Sequence, residues 1–238
     1  MTTPLTFLFA RTQSFSKNIL KDFGRSPDGL RIGRTTLDRE KYIIDKYKCV
    51  GESPHVIELC KWKQLPYLLK DMGCKVGAEI GVEKGQFAET LLRKIPELKL
   101  YAVDCWEPYS EYREGKNYDI NQYYQRALEK LTPFGDRVEI IKKYSMDALA
   151  DVPDESLDFV YIDANHEFQH AVNDIAEWSK KVKKGGVISG HDFVHTEVQY
   201  EKMEVEDAVR GWTSAKKIDP WFIAVRGERM PNWLYIKH

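Results

Sequence analysis

No stretch of this 238-residue chain is apolar for the roughly 18 residues that a membrane-crossing helix needs. The amino terminus, MTTPLTFLFARTQ, lacks the basic lead and the long apolar centre of a secretory signal. Its four cysteines, Cys49, Cys60, Cys74 and Cys105, form no C-x-x-C pair and no zinc-ligand spacing, which fits free thiols in a reducing compartment. Charge of one sign is also lacking. The 36 basic and 37 acidic residues nearly cancel to a net charge of -1, so nucleic acid is not an expected partner. The densest basic run, KKVKKGG at 180–186, sits where a helix should end, and lysines there suit the helix dipole. Neither a repeat nor a low-complexity segment is present. These absences leave a cytoplasmic, non-membrane protein as the expectation, one with a small-molecule partner and with self-association left open.

What is present is an alternation. From about residue 75 the chain reads as strands at 76–81, 98–104, 137–143, 157–163 and 185–190. Helical spacing of apolar residues falls at 86–95, 119–131, 146–150, 167–182 and 202–216. Such alternation requires a mostly parallel sheet covered on both faces. Near the end WFIAVRG and NWLYIKH flank a polar ERMP turn and predict an antiparallel hairpin that closes the sheet. Residues 1–74 read as an N-terminal extension, irregular over 1–50 and largely helical over 54–72 with an interruption at Pro66. Residues 75–238 read as the main α/β domain.

The most informative segment is VGAEIGVEKGQFAETLL followed by YAVDCW. A strand ends in a turn holding Gly77, Gly81 and Gly85, and a helix starts at Gln86. The next strand ends in Asp104, an acid placed to accept hydrogen bonds from a ribose. The turn is not G-x-G-x-x-G, and it carries Glu79 and Glu83, which would repel a pyrophosphate. A ligand with a sulfonium and an amino group would be accepted there.

The pattern resembles the first motif of class I S-adenosylmethionine-dependent methyltransferases, with Asp104 at the position of that family's ribose-binding acid. The resemblance spans roughly residues 75–238. It implies a doubly wound, Rossmann-like, seven-stranded α/β sheet. It also implies S-adenosylmethionine as methyl donor, with Glu79, Gly81, Gly85, Asp104, Trp106, Ser145, Met146 and Asp163 as cofactor contacts. FVYIDANHEFQH and GGVISGHDF are similar to the branch that holds metal-dependent sugar and catechol O-methyltransferases. Carried across, Asp163, His191 and Asp192 would bind magnesium or manganese, or iron if the imidazole coordinates strongly. The chain departs from that branch at His191, where an acid is usual. His166 matches the branch's proposed base, with Asp163 beside it, and capping the next helix is the alternative role for this histidine. His170 falls off the expected buried stripe of Phe168, Val172, Ile175 and Val182. Four of the six histidines (His166, His170, His191 and His195) follow the fourth and fifth strands.

Two segments could form acceptor walls. One is residues 107–125, which carry Tyr109, Tyr112, Tyr118, Tyr123 and Tyr124; the other is residues 192–204. The expected activity is methyl transfer to a hydroxyl of a small molecule, a sugar or glycoside being one class. The alternatives are a metal-independent transfer with a histidine base to an oxygen or nitrogen, and a cofactor-binding protein without catalysis.

Overall fold

The computed structural model describes residues 37–107, 119–198, 201–227 and 230–238. Its centre is an eight-stranded sheet. The strands in chain order are β1 (His55–Ile57), β2 (Val76–Ile80), β3 (Lys99–Asp104), β4 (Val138–Lys142), β5 (Leu157–Ile162), β6 (Val182–Gly190), β9 (Trp221–Ala224) and β10 (Asn232–Ile236). They lie in the order β1-β9-β10-β6-β5-β2-β3-β4. The five strands from β6 to β4 are parallel, and β10 runs antiparallel to both β6 and β9. This is the doubly wound sheet with its C-terminal hairpin that the alternation implied. Strand order reverses between β2 and β5, which places a ligand crevice at the carboxyl ends of the central strands.

Three departures from the sequence expectation fall before residue 75. His55–Ile57, expected as helix, is an eighth, edge strand parallel to β9. Pro66 does not interrupt a helix; it sits in the first turn of α2 (Leu65–Asp71), where its missing N–H costs nothing. Residues 39–47, expected to be irregular, form α1 (Arg39–Tyr47), with the Asp38 side chain accepting from the Lys41 N–H at its start.

The helices that position the site are α3 (Gln86–Lys94), α4 (Ile120–Leu131), α5 (Ser145–Ala148), α6 (Phe168–Lys181) and α7 (Val205–Lys216). In α3, Phe87, Ala88, Leu91 and Leu92 face inward at the spacing the sequence carries. In α6 the buried stripe is Ala171, Asp174, Ile175 and Trp178. Phe168, expected on that stripe, is exposed. The fifth parallel strand starts at Val182, so α6 ends a residue earlier than the periodicity suggested and Val182 packs as strand. Residues 202–204, expected to open the last helix, instead belong to a two-stranded ribbon of β7 (His195–Val198) and β8 (Glu201–Glu204). Ile43 of α1 and Leu65, Leu68 and Leu69 of α2 are buried in one cluster with Leu91, Phe159 and Phe222. Residues 37–74 therefore share the core of the sheet. Among the described residues, no helix is long and apolar enough to cross a membrane.

Candidate active site

Register brings the acids together. Glu79 of β2 pairs with Ala102 of β3 and with Tyr161 of β5, so Asp104 and Asp163 emerge on either side of the glycine turn. Three backbone bonds hold the four strand ends of β3, β2, β5 and β6 level: Gly81 N–H to the Val103 carbonyl (2.9 Å), Asp163 N–H to Ile80 (2.7 Å) and His191 N–H to Ile162 (3.0 Å). Gly81 has φ +90°, and a side chain there would run into the Asp163 carbonyl. Its bareness lets two strand ends meet. Gly85, at φ 73°, is the N-cap of α3.

Asp104 is the organiser of the turn. Its Oδ2 accepts from the backbone N–H groups of Val82 and Glu83, both at 2.9 Å, and its Oδ1 accepts from Trp106 at 2.8 Å. Burial raises the carboxyl's pKa while these three amides pull it down, and the net shift is upward. Trp106, at φ 42°, is buried; its indole N–H donates to the Glu83 carbonyl at 2.7 Å and its ring packs on Tyr124. The tryptophan thus anchors the glycine turn from the far side. Glu79 is 2% exposed, and its Oε2 has no hydrogen-bond partner among the described residues. Burial pushes its carboxyl well above the ordinary range, against the pull of Lys61. A buried carboxylate oxygen without a partner, beside a glycine turn, fits the amino group of a bound amino-acid moiety.

Past β5 and β6 the second half of the site forms. His166 Nε2 lies 3.0 Å from Asp192 Oδ2 and 3.8 Å from Asp163 Oδ1. His191 Nδ1 lies 3.0 Å from Asp192 Oδ1 and 3.7 Å from Asp163 Oδ1. Other groups serve the start of α6: Asn165 accepts from the Glu167 N–H at 2.9 Å and Glu204 from the Phe168 N–H at 3.0 Å. His166 is therefore turned into the acid cluster and does not cap the helix. Its carbonyl accepts from the Glu204 N–H (2.8 Å), which ties the β7–β8 ribbon to the site. His170 is exposed, and the exposed His195 pairs with Asp207, so two of the four clustered histidines face the acids.

Burial would raise the Asp163 carboxyl, but the Lys61 ammonium and the two imidazoles outweigh it and hold it well below the usual carboxylate range. Asp192 is likewise lowered: burial opposes, and hydrogen bonds from His166 and His191 prevail. His191 is raised, burial being outweighed by Asp192 and Asp163. Asp163, His191 and Asp192 each offer a ligand atom, all within 4.8 Å of one another. Two carboxylates and an imidazole suit a hard or borderline dication.

Past the end of β4, Ser145 does not stand alone. Its hydroxyl donates to Asp174 of α6 and accepts from the Trp178 indole N–H at 2.8 Å. Burial lifts the Asp174 carboxyl to about 7 against the pull of Ser145. Met146 is exposed at the start of α5. Of the expected acceptor wall, Tyr123 and Tyr124 lie on α4, under the ammonium groups of Lys84 and Lys142. Tyr109, Tyr112 and Tyr118 lie outside the described residues.

Sequence reasoning missed Lys61, Asp174 and Glu204. Asp174 sits at helical spacing on the buried face of α6, a legible signal for a partnered acid. Lys61 carries no such signal, because it lies in an irregular turn and reaches the site only through the fold.

Comparison with known proteins agrees with this geometry. Residues 78–193 match the family model described as a methyltransferase domain. An uncharacterized protein, R132, of Acanthamoeba polyphaga mimivirus is 28% identical over 102 residues, which is 41% of this chain and 46% of that protein. Among solved structures, an O-methyltransferase family protein from Burkholderia thailandensis superposes with a TM-score of 0.50 at 12% identity, over 69% of this chain and 51% of that one. The O-methyltransferase TomG from Streptomyces achromogenes, solved in complex with SAM, gives 0.52 at 15% identity, over 73% of this chain and 78% of that one. The chain thus spans about half the length of the curated relative and of the Burkholderia protein. Both structural likenesses are likenesses of fold. Together, the matched segment, just under half of the chain, the doubly wound sheet and the acid-tipped glycine turn make the chain similar to the class I S-adenosylmethionine-dependent methyltransferases.

Proposed function

We propose that this protein transfers the methyl group of S-adenosylmethionine to a hydroxyl of a small molecule. A sugar or glycoside is the acceptor class the sequence resemblance suggests, and magnesium or manganese would be held by Asp163, His191 and Asp192. The observation that carries this reading is the buried Glu79, whose Oε2 has no hydrogen-bond partner among the described residues, beside a glycine turn whose conformation Asp104 holds. The turn, Glu79 and Asp104 bind and orient the donor. The donor supplies an activated methyl group, and a bound dication would polarise the acceptor hydroxyl.

His166 is the base. The Asp192 and Asp163 carboxylates lie 3.0 and 3.8 Å from its Nε2, so a proton accepted by this imidazole is taken up beside negative charge. Asp192 also holds His191, which fixes both rings against the same carboxylate. Transfer is an in-line displacement, so the protein's work is placement of the acceptor oxygen and removal of its proton.

A second reading, transfer without a metal, is favoured by one observation: Asp163 Oδ2 already lies 2.6 Å from an ammonium group, that of Lys61. Calorimetric titration with S-adenosylhomocysteine tests the function. Micromolar binding is expected, and Glu79→Gln should weaken it at least about tenfold by removing a charged hydrogen-bond acceptor. Absence of binding in the wild type would sink the reading. Turnover in excess chelator, once an acceptor is found, separates the two metal alternatives.

A further inference from the structure

We propose that Lys61 is a positioning residue, a resident cation that neutralises part of the acid cluster and sets how strongly the site takes a divalent metal. The proposal rests on the reading of Asp163, His191 and Asp192 as a metal position.

Lys61 lies outside the matched domain segment, in the turn between β1 and α2. That turn is fixed locally: the Gln64 side chain accepts from the Cys60 N–H at 2.9 Å, and the Gln64 and Leu65 N–H groups both return to the Cys60 carbonyl. It delivers the lysine into the core, where it is 5% exposed. The ammonium group sits 4.9 Å from the ring centres of Phe87 and Tyr161 and 5.2 Å from that of Trp62. Its Nζ lies 2.6 Å from Asp163 Oδ2.

An ammonium is costly to bury, and rings alone compensate it only in part. The Asp163 carboxylate provides the rest. Two consequences follow for the cluster. Asp163 turns one oxygen to Lys61 and leaves Oδ1 toward His166 and His191. The two carboxylates of Asp163 and Asp192 also face one fixed positive charge, so an arriving dication meets a net charge of about -1 from these three groups, half that of the bare acid pair. Lys61 thereby holds the Asp163 side chain in place when no metal is bound, and its charge repels the metal when one arrives.

The test uses the full chain and manganese, titrated by calorimetry or by the loss of its free paramagnetic signal. Lys61→Met should bind manganese at least about tenfold more tightly than the wild type, because a positive charge in direct contact with a ligand carboxylate is gone. Lys61→Gln, which keeps a hydrogen-bond donor for Asp163 Oδ2, should tighten binding in the same direction. Lys61→Arg, which keeps the charge, should stay within a few-fold of the wild type. Equal or weaker manganese binding in both neutral variants would overturn the proposal, as would loss of fold in both, which would make Lys61 a structural strut. S-adenosylhomocysteine titration of the same samples separates this failure from that of the function. Cofactor binding with no metal effect removes only the role of Lys61, whereas no cofactor binding in the wild type removes the methyltransferase reading.

Discussion

Replacing Asp104 by alanine tests the centre of the proposed donor site, and the structure changes what should be expected of it. From the sequence, the loss would be that of a ribose contact. In the fold the carboxylate also accepts three backbone N–H groups, from Val82, Glu83 and Trp106, at 2.9, 2.9 and 2.8 Å. A hydrogen bond to a charged acceptor is worth about 1.5–3 kcal/mol, and a buried donor left alone costs about 1–3 kcal/mol. Glu83 is exposed and its amide can turn to water, but Val82 and Trp106 are buried and theirs cannot. Two stranded donors give about 2–6 kcal/mol. The lower half of that range is expected, because the folded state also pays to bury the Asp104 charge, as its raised pKa shows. A loss near 3 kcal/mol is a large share of the roughly 5–15 kcal/mol by which domains are stable. Urea denaturation should therefore show a clearly lower midpoint. Calorimetric titration, at a temperature where the variant is folded, should show S-adenosylhomocysteine affinity down at least about tenfold. Asp104→Asn keeps one acceptor oxygen but turns an amide toward a donor, and should fall between the two. A folded alanine variant with the wild-type midpoint and wild-type affinity would refute both the turn-holding role and the cofactor contact.

Gly81→Val should fail as a fold and not merely as a binder: it sets a β-branched residue at φ +90° and drives its Cβ into the Asp163 carbonyl. A loss above about 3 kcal/mol is expected from strain and collision together; a soluble variant with the wild-type thermal midpoint would show that β5 yields easily. Asp174 gives a pH signature. Its folded pKa is raised to about 7, so the folded state binds the extra proton, and this group's contribution to stability is full below its ordinary value and lost as pH rises through about 7. One such group gives a slope of about 1.4 kcal/mol per pH unit in that window. Asp174→Asn, which can still accept from Ser145, should flatten the slope of urea stability between pH 5 and about 7; an unchanged slope would remove Asp174 as its source.

Much of this fold was legible before any coordinates. Strand-turn-helix periodicity over 76–95 depends on local spacing, and the sheet reproduces it with Ala78, Ile80, Phe87, Leu91 and Leu92 all buried. The acids at the strand tips were legible for the same reason: a parallel sheet puts its ligand crevice where strands end, so the residue following each strand can be read off the chain. Edge and capping features were less legible. A three-residue strand such as His55–Ile57 has too little pattern to declare itself and exists because β9 offers an unpaired edge. Pro66 reads equally as a breaker or as a first-turn residue until the helix start is known.

Within the site the division is sharper. Asp104, Asp163, His166, His191 and Asp192 stood out by their place after strands, but only packing decided that His166 turns to Asp192 and leaves the helix start to Asn165 and Glu204. Only the fold could bring Lys61 to Asp163, 102 residues away along the chain, or seat Ser145 between Asp174 and Trp178. The physical reason is common to these cases. Periodicity reports which face of an element is buried, a local property, whereas the partner of a buried charge is set by which elements share a layer, and that is decided by the sheet order and by the energy of leaving no buried charge alone.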